Sequence, residues 1–166
     1  MGNEGMVKSY EFHDSLLNIL DAAIVECGAI KGNVQLLDKE RGALYIAVQR
    51  GFDAAFMQLF QFVRVDEPSA CGRAFRQRQR VVIQDIMTDL FFAPYVSIAR
   101  ANGFQSVQST PILANSGNVL GVLSTHFAQA NQYSEKMAGP LDRYASKMAT
   151  LISEHDTDRF VRVAVA

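Results

Sequence analysis

The feature that most constrains this chain is a pair of β-prone runs, residues 103–113 and 119–127, joined by a short turn. The turn carries Ser116-Gly117, a dipeptide typical of β-hairpins. Both runs mix apolar residues with small polar ones instead of alternating cleanly, so neither face of the hairpin is expected to be simply solvent-exposed. The sequence therefore predicts two central strands of a sheet that is covered on both sides.

The polar side chains of this hairpin have two interpretations. In the structural one, the hydroxyls bond to nearby backbone; in the functional one, they and Gln108 form the floor of a small-molecule pocket. If Ser116-Gly117 is a two-residue turn, strand alternation divides the side chains into two sets. One set contains Val107, Ser109, Ser124 and His126, and the other contains Ser106, Gln108, Thr110 and Thr125. The sequence leaves open which set faces the pocket.

Composition indicates an ordinary soluble globular chain. It has 166 residues, 49% of them apolar and 20% charged, which predicts one domain with a real core. The 16 Lys and Arg residues are balanced by 17 Asp and Glu, giving a net charge of -1. A nucleic-acid partner is therefore not expected, because the excess basic charge that binds a phosphate backbone is missing.

Neither a membrane segment nor a secretion signal is evident. No apolar run approaches the roughly 18 residues that span a bilayer, and no charged start precedes an apolar core. No membrane partner and a cytoplasmic location are the resulting expectations. Cys27 and Cys71 lie far apart without C-x-x-C spacing, so both are expected to be reduced thiols, with no disulfide framework and no metal site.

Periodicity along the chain predicts amphipathic helices at both ends of a single domain over residues 9–155. The first helix begins near Ser9 and stops before Gly28, and the last runs over residues 134–155, interrupted by Gly139-Pro140, so that its regular part is expected to start with Pro140 in the first turn. A second hairpin over 33–50 follows the first helix, and Asp53 and Ser69 are expected to cap short helices after it. Residues 1–8 are predicted to be a flexible terminus, and 156–166 a C-terminal tail of unassigned role.

Several blocks in this order resemble the GAF domain family. They are Gly32-Asn33-Val34-Gln35-Leu36-Leu37-Asp38 with Arg50-Gly51-Phe52, Ser69-Ala70-Cys71-Gly72-Arg73-Ala74, Val82-Ile83-Gln84-Asp85-Ile86, Ser106 through Leu113, and Leu120 through Phe127. The resemblance implies an α+β, PAS-like GAF fold. Its antiparallel sheet has five or six strands, the N- and C-terminal helices pack on one face, and short helices and loops enclose a pocket on the other.

The form with Gln-Ser-Thr-Pro before the turn looks closest to the GAF modules of bacterial two-component histidine kinases and related signalling proteins. The resemblance implies a non-catalytic sensory module that binds a small molecule and relays its state through the terminal helices of a homodimer. An output kinase or another signalling domain would be its partner. GAF domains bind cyclic nucleotides, linear tetrapyrroles, haem, small metabolites or nothing known, so the cofactor or ligand stays unknown.

Individual residues suggest candidate chemistries. Cys71 falls in the first turn of a predicted helix, where backbone N–H groups favour a thiolate, although unpaired cysteines are commonly buried as small apolar groups. Arg73 adds positive charge at the same helix start, which would suit an anion, although a basic run is usually a solvated face. His126 could line the pocket or donate to a carbonyl. Aromatic residues between the hairpins either close the core or wall a cavity.

The predicted ligand-binding residues are Phe56, Phe60, Cys71, Arg73, Phe75, Asp85, Phe92, Tyr95, Ser106, Gln108, Thr110, Thr125 and His126. No catalytic residue and no metal ligand are predicted, because the usual phosphate-binding, hydrolase and metalloprotease motifs are missing from the sequence. A structural dimerisation module with a collapsed pocket is the alternative function. A thiol-dependent reductase is the third, although Cys27 and Cys71 are few for that chemistry.

Overall fold

The computed structural model describes residues 2–155. The helices are α1 (Gly2–Cys27), α2 (Ala54–Leu59), α3 (Ala70–Gln77), α4 (Val96–Ala101) and α5 (Ala138–Glu154). The strands are β1 (Lys31–Asp38), β2 (Ala43–Arg50), β3 (Phe62–Arg64), β4 (Val81–Ile83), β5 (Ser106–Leu113) and β6 (Val119–Phe127). Two 3₁₀ segments, Leu90–Tyr95 and Glu135–Met137, precede α4 and α5. The predicted C-terminal tail, 156–166, lies outside the described residues.

The six strands form one antiparallel sheet in the order β3-β2-β1-β6-β5-β4. Both predicted hairpins are present, β1 with β2 and β5 with β6, and the pairing of β1 with β6 joins them at the centre. The short strands β3 and β4 occupy the two edges. This arrangement confirms the predicted α+β fold with an antiparallel sheet of five or six strands.

Helices α1 and α5 pack against each other and against one face of the sheet, called the helix face below. Leu16 and Leu20 of α1, Met148 of α5, and Val34 and Leu123 of the strands are fully buried there. Burying these apolar side chains is the main favourable contribution to folding, at about 25 cal/mol for each Å² removed from water. The amphipathic periods of the two terminal helices therefore predicted their packing correctly.

The opposite face of the sheet, called the cavity face below, is covered by α2, α3, α4 and the 3₁₀ segment before α4. Leu44, Val63 and Val122 of the strands pack there against Phe56 and Phe92 of the covering layer. The covering elements are short, so each is fixed by caps as well as by apolar contact. Asp53 Oδ1 accepts from the Phe56 N–H at 2.8 Å, and Ser69 Oγ accepts from the Gly72 N–H at 3.2 Å, as predicted.

The first helix begins earlier than the sequence indicates. Residues 1–8 were expected to be a flexible terminus, whereas α1 starts at Gly2. That prediction relied on the lack of apolar periodicity, which reports packing on a core and not helix formation itself. Gly5 costs about 1 kcal/mol in a helix but does not end it. Because the core on the helix face includes only Phe12 and later residues of α1, the turns before it extend beyond the packed body.

At the centre of the sheet, β1 and β6 approach each other closely at Gly121. A Cβ atom at this position would lie 2.1 Å from the carbonyl oxygen of Gln35. That distance is far inside van der Waals contact, so only glycine fits. Within residues 2–155, no helix has both the length and the hydropathy that crossing a membrane requires.

Candidate functional site

A cavity lies between the cavity face of the sheet and the short helices that cover it. The space that the centre of a water-sized sphere can reach within it is about 30 Å³. A single water needs about 10–15 Å³ in the same measure, so the cavity has room for about two waters or a molecule of a few atoms. Its walls are Asn33, Gln35, Phe56, Phe60, Ser69, Ala70, Cys71, Phe92, Phe104, Val107, Ser109, Ser124 and His126.

A polar row crosses three neighbouring strands beneath this cavity. Asn33 of β1 pairs in register with Ser124 of β6, which pairs with Ser109 of β5. The two serine hydroxyls bond to each other at 2.7 Å. Because each hydroxyl carries one hydrogen and their mutual bond uses only one, the pair retains a hydrogen that can be donated to a further group.

Three side-chain atoms of residues that line the cavity have no hydrogen-bond partner within residues 2–155, namely Asn33 Oδ1, Gln35 Oε1 and His126 Nδ1. Their residues are only 4%, 1% and 5% exposed. Nearly all buried polar atoms in folded proteins are paired, and leaving one unpaired costs about 1–3 kcal/mol. Three such atoms in the wall of one small cavity therefore point to a site that is completed by a bound molecule or by water.

His126 is held as a neutral imidazole among aromatic rings. Its ring centroid lies 4.8 Å from that of Phe52 and 4.6 Å from that of Phe104, both nearly edge-on. Burial lowers the pKa of His126 to about 3; a hydrogen bond to the Lys31 backbone opposes this shift, and the Lys31 charge adds to it. The side chain therefore offers the cavity a polar atom without a charge.

Cys71 opens α3 but does not behave as the predicted thiolate. Its Sγ lies 3.3 Å from Ser69 Oγ, inside the buried layer over the cavity. Burial raises the pKa of the Cys71 thiol, and the opposing hydrogen bonds from Ser69 and from the Gly72 backbone do not offset it. The expectation that the helix start would favour a thiolate is therefore wrong, because desolvation outweighs the backbone dipoles.

The structure brings together five of the predicted ligand-binding residues around the cavity. They are Phe56, Phe60, Cys71, Phe92 and His126. The stacked rings of Phe52 and Phe56, with centroids 3.8 Å apart, continue into Phe60 and so form one aromatic wall. Aromatic residues between the hairpins thus both close the core and bound the cavity.

The four hairpin residues predicted as the pocket floor lie on the helix face instead. Thr110 Oγ1 donates to Gln108 Oε1 at 2.6 Å, and Gln108 Nε2 donates to Thr125 Oγ1 at 3.0 Å. Arg80 Nε donates to Thr110 Oγ1 at 2.9 Å, and Ser106 Oγ donates to the Gln129 carbonyl at 2.7 Å. The placement of these four at the floor is thus corrected, and Ser109 and Ser124 occupy that position.

Four other predicted residues also lie away from the cavity walls. Arg73 Nη1 donates to both carboxylate oxygens of Asp89, at 3.0 and 3.1 Å, so its charge is already paired. Asp85 Oδ1 accepts from the Met87 N–H at 2.8 Å. The Tyr95 hydroxyl donates to Glu67 Oε2 at 3.3 Å, and burial raises the pKa of Tyr95 to about 12. Phe75 is half-buried against the aromatic layer.

Although the sequence left open that Val107, Ser109 and Ser124 face the pocket, eight residues of the cavity wall were not among the predicted ligand-binding residues. They are Asn33, Gln35, Ser69, Ala70, Phe104, Val107, Ser109 and Ser124. The alternation of Asn33 and Gln35 with the buried Val34 and Leu36 was the available signal. On its own, this alternation is typical of a strand with one solvated face.

The cavity walls hold no set of residues that would bind a metal. Among residues 2–155, no group of three His, Cys, Asp or Glu side chains lies close enough to hold a metal ion. No charged side chain lines the cavity among the described residues. What the arrangement offers chemically is a set of neutral hydrogen-bonding groups framed by aromatic rings.

Solved structures of other proteins share this architecture at low sequence identity. A domain of a protein described as a two-component sensor histidine kinase from Sinorhizobium meliloti 1021 matches with a TM-score of 0.70 and 14% identity, over 85% of this chain and 90% of that one. A GAF domain/HD domain protein from Geobacter sulfurreducens gives 0.71 and 14%, over 89% and 95%. A type II free methionine-R-sulfoxide reductase from Thermoplasma acidophilum gives 0.73 and 14%, over 88% and 95%.

These likenesses show that the chain shares its α+β fold with those proteins. The sequence itself matches the GAF domain family over residues 11–153, so the chain belongs to that family. No curated protein matches the sequence. GAF domains are typically signalling sensor modules, and some of the structural neighbours are enzymes.

Proposed function

We propose that this GAF domain is a non-catalytic sensory module that binds a small molecule in the cavity between the sheet and its aromatic cover. The observation that carries the proposal is the set of unpartnered polar atoms on Asn33, Gln35 and His126 in one cavity wall. A purely structural core would be more stable with apolar side chains at these positions, because unpaired buried polar atoms are costly.

A route from the cavity to the C-terminal helix supports a relay role. Thr110 is adjacent to the cavity residue Ser109 on β5, and its hydroxyl accepts from Arg80. Arg80 also donates to the Ala138 carbonyl at 3.2 Å and bonds to the Asp142 carboxylate, both on α5. A shift of β5 caused by a ligand would therefore act on α5, and binding would bias one arrangement of the helix over another.

The first helix supports a homodimer through the terminal helices. Met6, Val7 and Tyr10 are exposed apolar residues on the part of α1 that extends beyond the core. In a dimer, these side chains would be removed from water by the same helix of a second copy. An output kinase or other signalling domain as partner, and a cytoplasmic location, complete the proposal.

The proposal is tested by measuring the melting temperature against a panel of nucleotides, amino acids and neutral metabolites. A compound that binds the folded state raises the melting temperature, and the rise grows with the logarithm of its concentration above the dissociation constant. Native mass spectrometry of the freshly purified protein would reveal a ligand that has been carried along. If no compound shifts the melting temperature and no extra mass is present, the sensory role is rejected.

A structural dimerisation module is the second candidate, and the small size of the cavity favours it. About 30 Å³ could hold ordered water alone, with the three polar atoms bonded to that water. Light scattering separates the two candidates in combination with the ligand panel. A dimer that responds to no compound supports the structural role, whereas a monomer that binds a ligand excludes it.

A thiol-dependent reductase is the third candidate, and the placement of the cysteines argues against it. Cys27 belongs to the core on the helix face and Cys71 to the core on the cavity face, so the sheet separates the two thiols. Burial raises the pKa of both, which lowers the thiolate fraction that such chemistry needs. Peroxide or sulfoxide consumption that stops when the thiols are alkylated would reverse this conclusion.

A further inference from the structure

The chemistry of the cavity walls restricts which molecules can bind there. Of the described residues that line the cavity, none is Lys, Arg, Asp or Glu. Arg73 was the residue predicted to bind an anion, but its guanidinium already donates to both carboxylate oxygens of Asp89. A charged ligand would lose its hydration shell and gain no opposite charge, which is strongly unfavourable in a buried site.

The unpartnered oxygen atoms of the walls are acceptors. Asn33 Oδ1 and Gln35 Oε1 are carbonyl oxygens, which can only accept hydrogen bonds. They project from alternate residues of β1 onto the same side of the sheet, where Cα atoms two residues apart are separated by about 7 Å. A ligand group that satisfies both must therefore carry two hydrogens on one atom or on neighbouring atoms.

The serine pair adds the complementary function beside these acceptors. Ser109 and Ser124 share one hydrogen and keep the other free to donate. Ser124 is in register with Asn33, so this donor lies next to the first acceptor. His126 lies two residues after Ser124, on the same face of β6, and its Nδ1 atom also has no partner within the described residues.

We propose that the cavity binds a small uncharged molecule with a primary carboxamide or urea-type group. The NH₂ donates to Asn33 Oδ1 and Gln35 Oε1, and the carbonyl oxygen accepts from the Ser109–Ser124 hydroxyl pair. The apolar remainder of the molecule lies against Phe56, Phe60 and Phe92. This assignment rests on the sensory role proposed above and names the ligand class for the same site.

The test uses three probes of equal size and different charge, which are acetamide, acetate and acetamidinium. Each is titrated into the ¹⁵N-labelled protein up to about 50 mM, since so small a ligand is expected to bind with a millimolar dissociation constant. Acetamide is expected to shift the backbone amide signals of β1 and β6 around Asn33, Gln35 and Ser124, with saturation. Acetate and acetamidinium are expected to leave these signals unchanged.

Two variants test whether acetamide binds to the proposed acceptors in the cavity wall. Gln35→Met removes one acceptor at nearly constant volume and is expected to weaken acetamide binding about tenfold, while the free protein, which loses only the Gln35–Cys71 bond, melts within a few degrees of the wild type. Asn33→Leu is a second test of the same kind if Gln35→Met fails to fold. Gln105→Met, at an exposed glutamine outside the cavity, is the matched control and is expected to bind acetamide as the wild type does.

Different outcomes overturn this inference and the sensory role separately. Equal or stronger binding of acetate or acetamidinium refutes the uncharged ligand class but leaves a ligand-binding cavity. The same holds if no probe binds while an anionic compound of the broader panel does. Unchanged acetamide affinity in both Gln35→Met and Asn33→Leu refutes the assigned acceptors. If neither the probes nor the panel bind, the sensory role fails with the inference.

Discussion

Both faces of the β5–β6 hairpin carry buried polar side chains, yet the two faces differ in how these polar groups are satisfied. On the helix face, Gln108, Thr110 and Thr125 form a continuous chain of hydrogen bonds that ends at Arg80. On the cavity face, His126 keeps an unpartnered nitrogen, and Asn33 and Gln35 of the neighbouring strand keep unpartnered oxygens.

This difference separates two uses of buried polarity. A fully satisfied chain fixes how the sheet and the helices fit together, because any displaced member leaves its neighbours unpaired. An incompletely satisfied wall holds free energy that a bound molecule can recover. The composition of a strand therefore does not reveal its role, whereas the pairing of its side chains does.

The largest expected effect comes from making the same substitution on the two faces. Gln108→Met removes the donor to the Thr125 hydroxyl and the acceptor of the Thr110 hydroxyl, which keeps only Arg80, and we expect it to lower the free energy of unfolding by about 2–3 kcal/mol. Gln35→Met removes the unpaired Oε1 together with an amide that hydrogen-bonds the Cys71 thiol, and should lower this free energy by at most about 1 kcal/mol. Urea unfolding of both variants measures the contrast, and equal losses would contradict it.

The pH dependence of stability gives the next largest effect. The pKa of His126 is about 3 in the folded chain against an ordinary value of 6.5, so the unfolded chain takes up the proton first as the pH falls. The free energy of unfolding is therefore unaffected above about pH 7 and decreases between pH 6.5 and 3, by about 2 kcal/mol between pH 7 and 5.

The variant His126→Phe isolates this contribution, because the ring fits among Phe52, Phe56 and Phe104 and cannot titrate. Denaturant unfolding at several pH values between 7 and 5 should give a nearly flat profile for the variant. A wild-type slope that survives in His126→Phe would show that other groups carry it.

The smallest effect concerns the one satisfied pair of the cavity face. Ser109→Ala removes the partner of the Ser124 hydroxyl, and we expect a loss of about 1 kcal/mol because that hydroxyl can turn to water in the cavity. Thr110→Val, whose hydroxyl bonds both Arg80 and Gln108, should cost more. Thermal unfolding of the two variants ranks them, and a larger loss for Ser109→Ala would reverse our view of the two faces.

Much of the fold could be predicted because its signals are local. The caps at Asp53 and Ser69, the stop at Gly28 and the amphipathic periods of the terminal helices each depend on residues within a few positions. Strand alternation also divided the hairpin side chains correctly into two sets. These features follow from backbone geometry alone.

The face that lines the cavity could not be predicted, because the answer depends on distant residues. Arg80, which is 30 positions from Thr110, completes the hydrogen bonds of the polar side chains on the helix face. These side chains therefore have a structural role. Asn33 and Gln35 resemble the outer face of an exposed strand until the helices of a later segment cover them. The prediction of a Cys71 thiolate failed for the same reason, because the burial that raises the pKa of Cys71 comes from tertiary packing.

Gly121 gives this domain a position with no tolerance for variation. Its missing Cβ leaves room for the backbone carbonyl of Gln35. The side chain of Gln35 in turn carries an unpartnered oxygen on the cavity face. In a library that randomises every position and selects only for folded protein, residue 121 should return as glycine, whereas residue 35 should drift toward apolar side chains. Selection for ligand response would then restore the glutamine at 35 without altering 121, so sequence variation alone would separate the demand of the fold from the demand of the site.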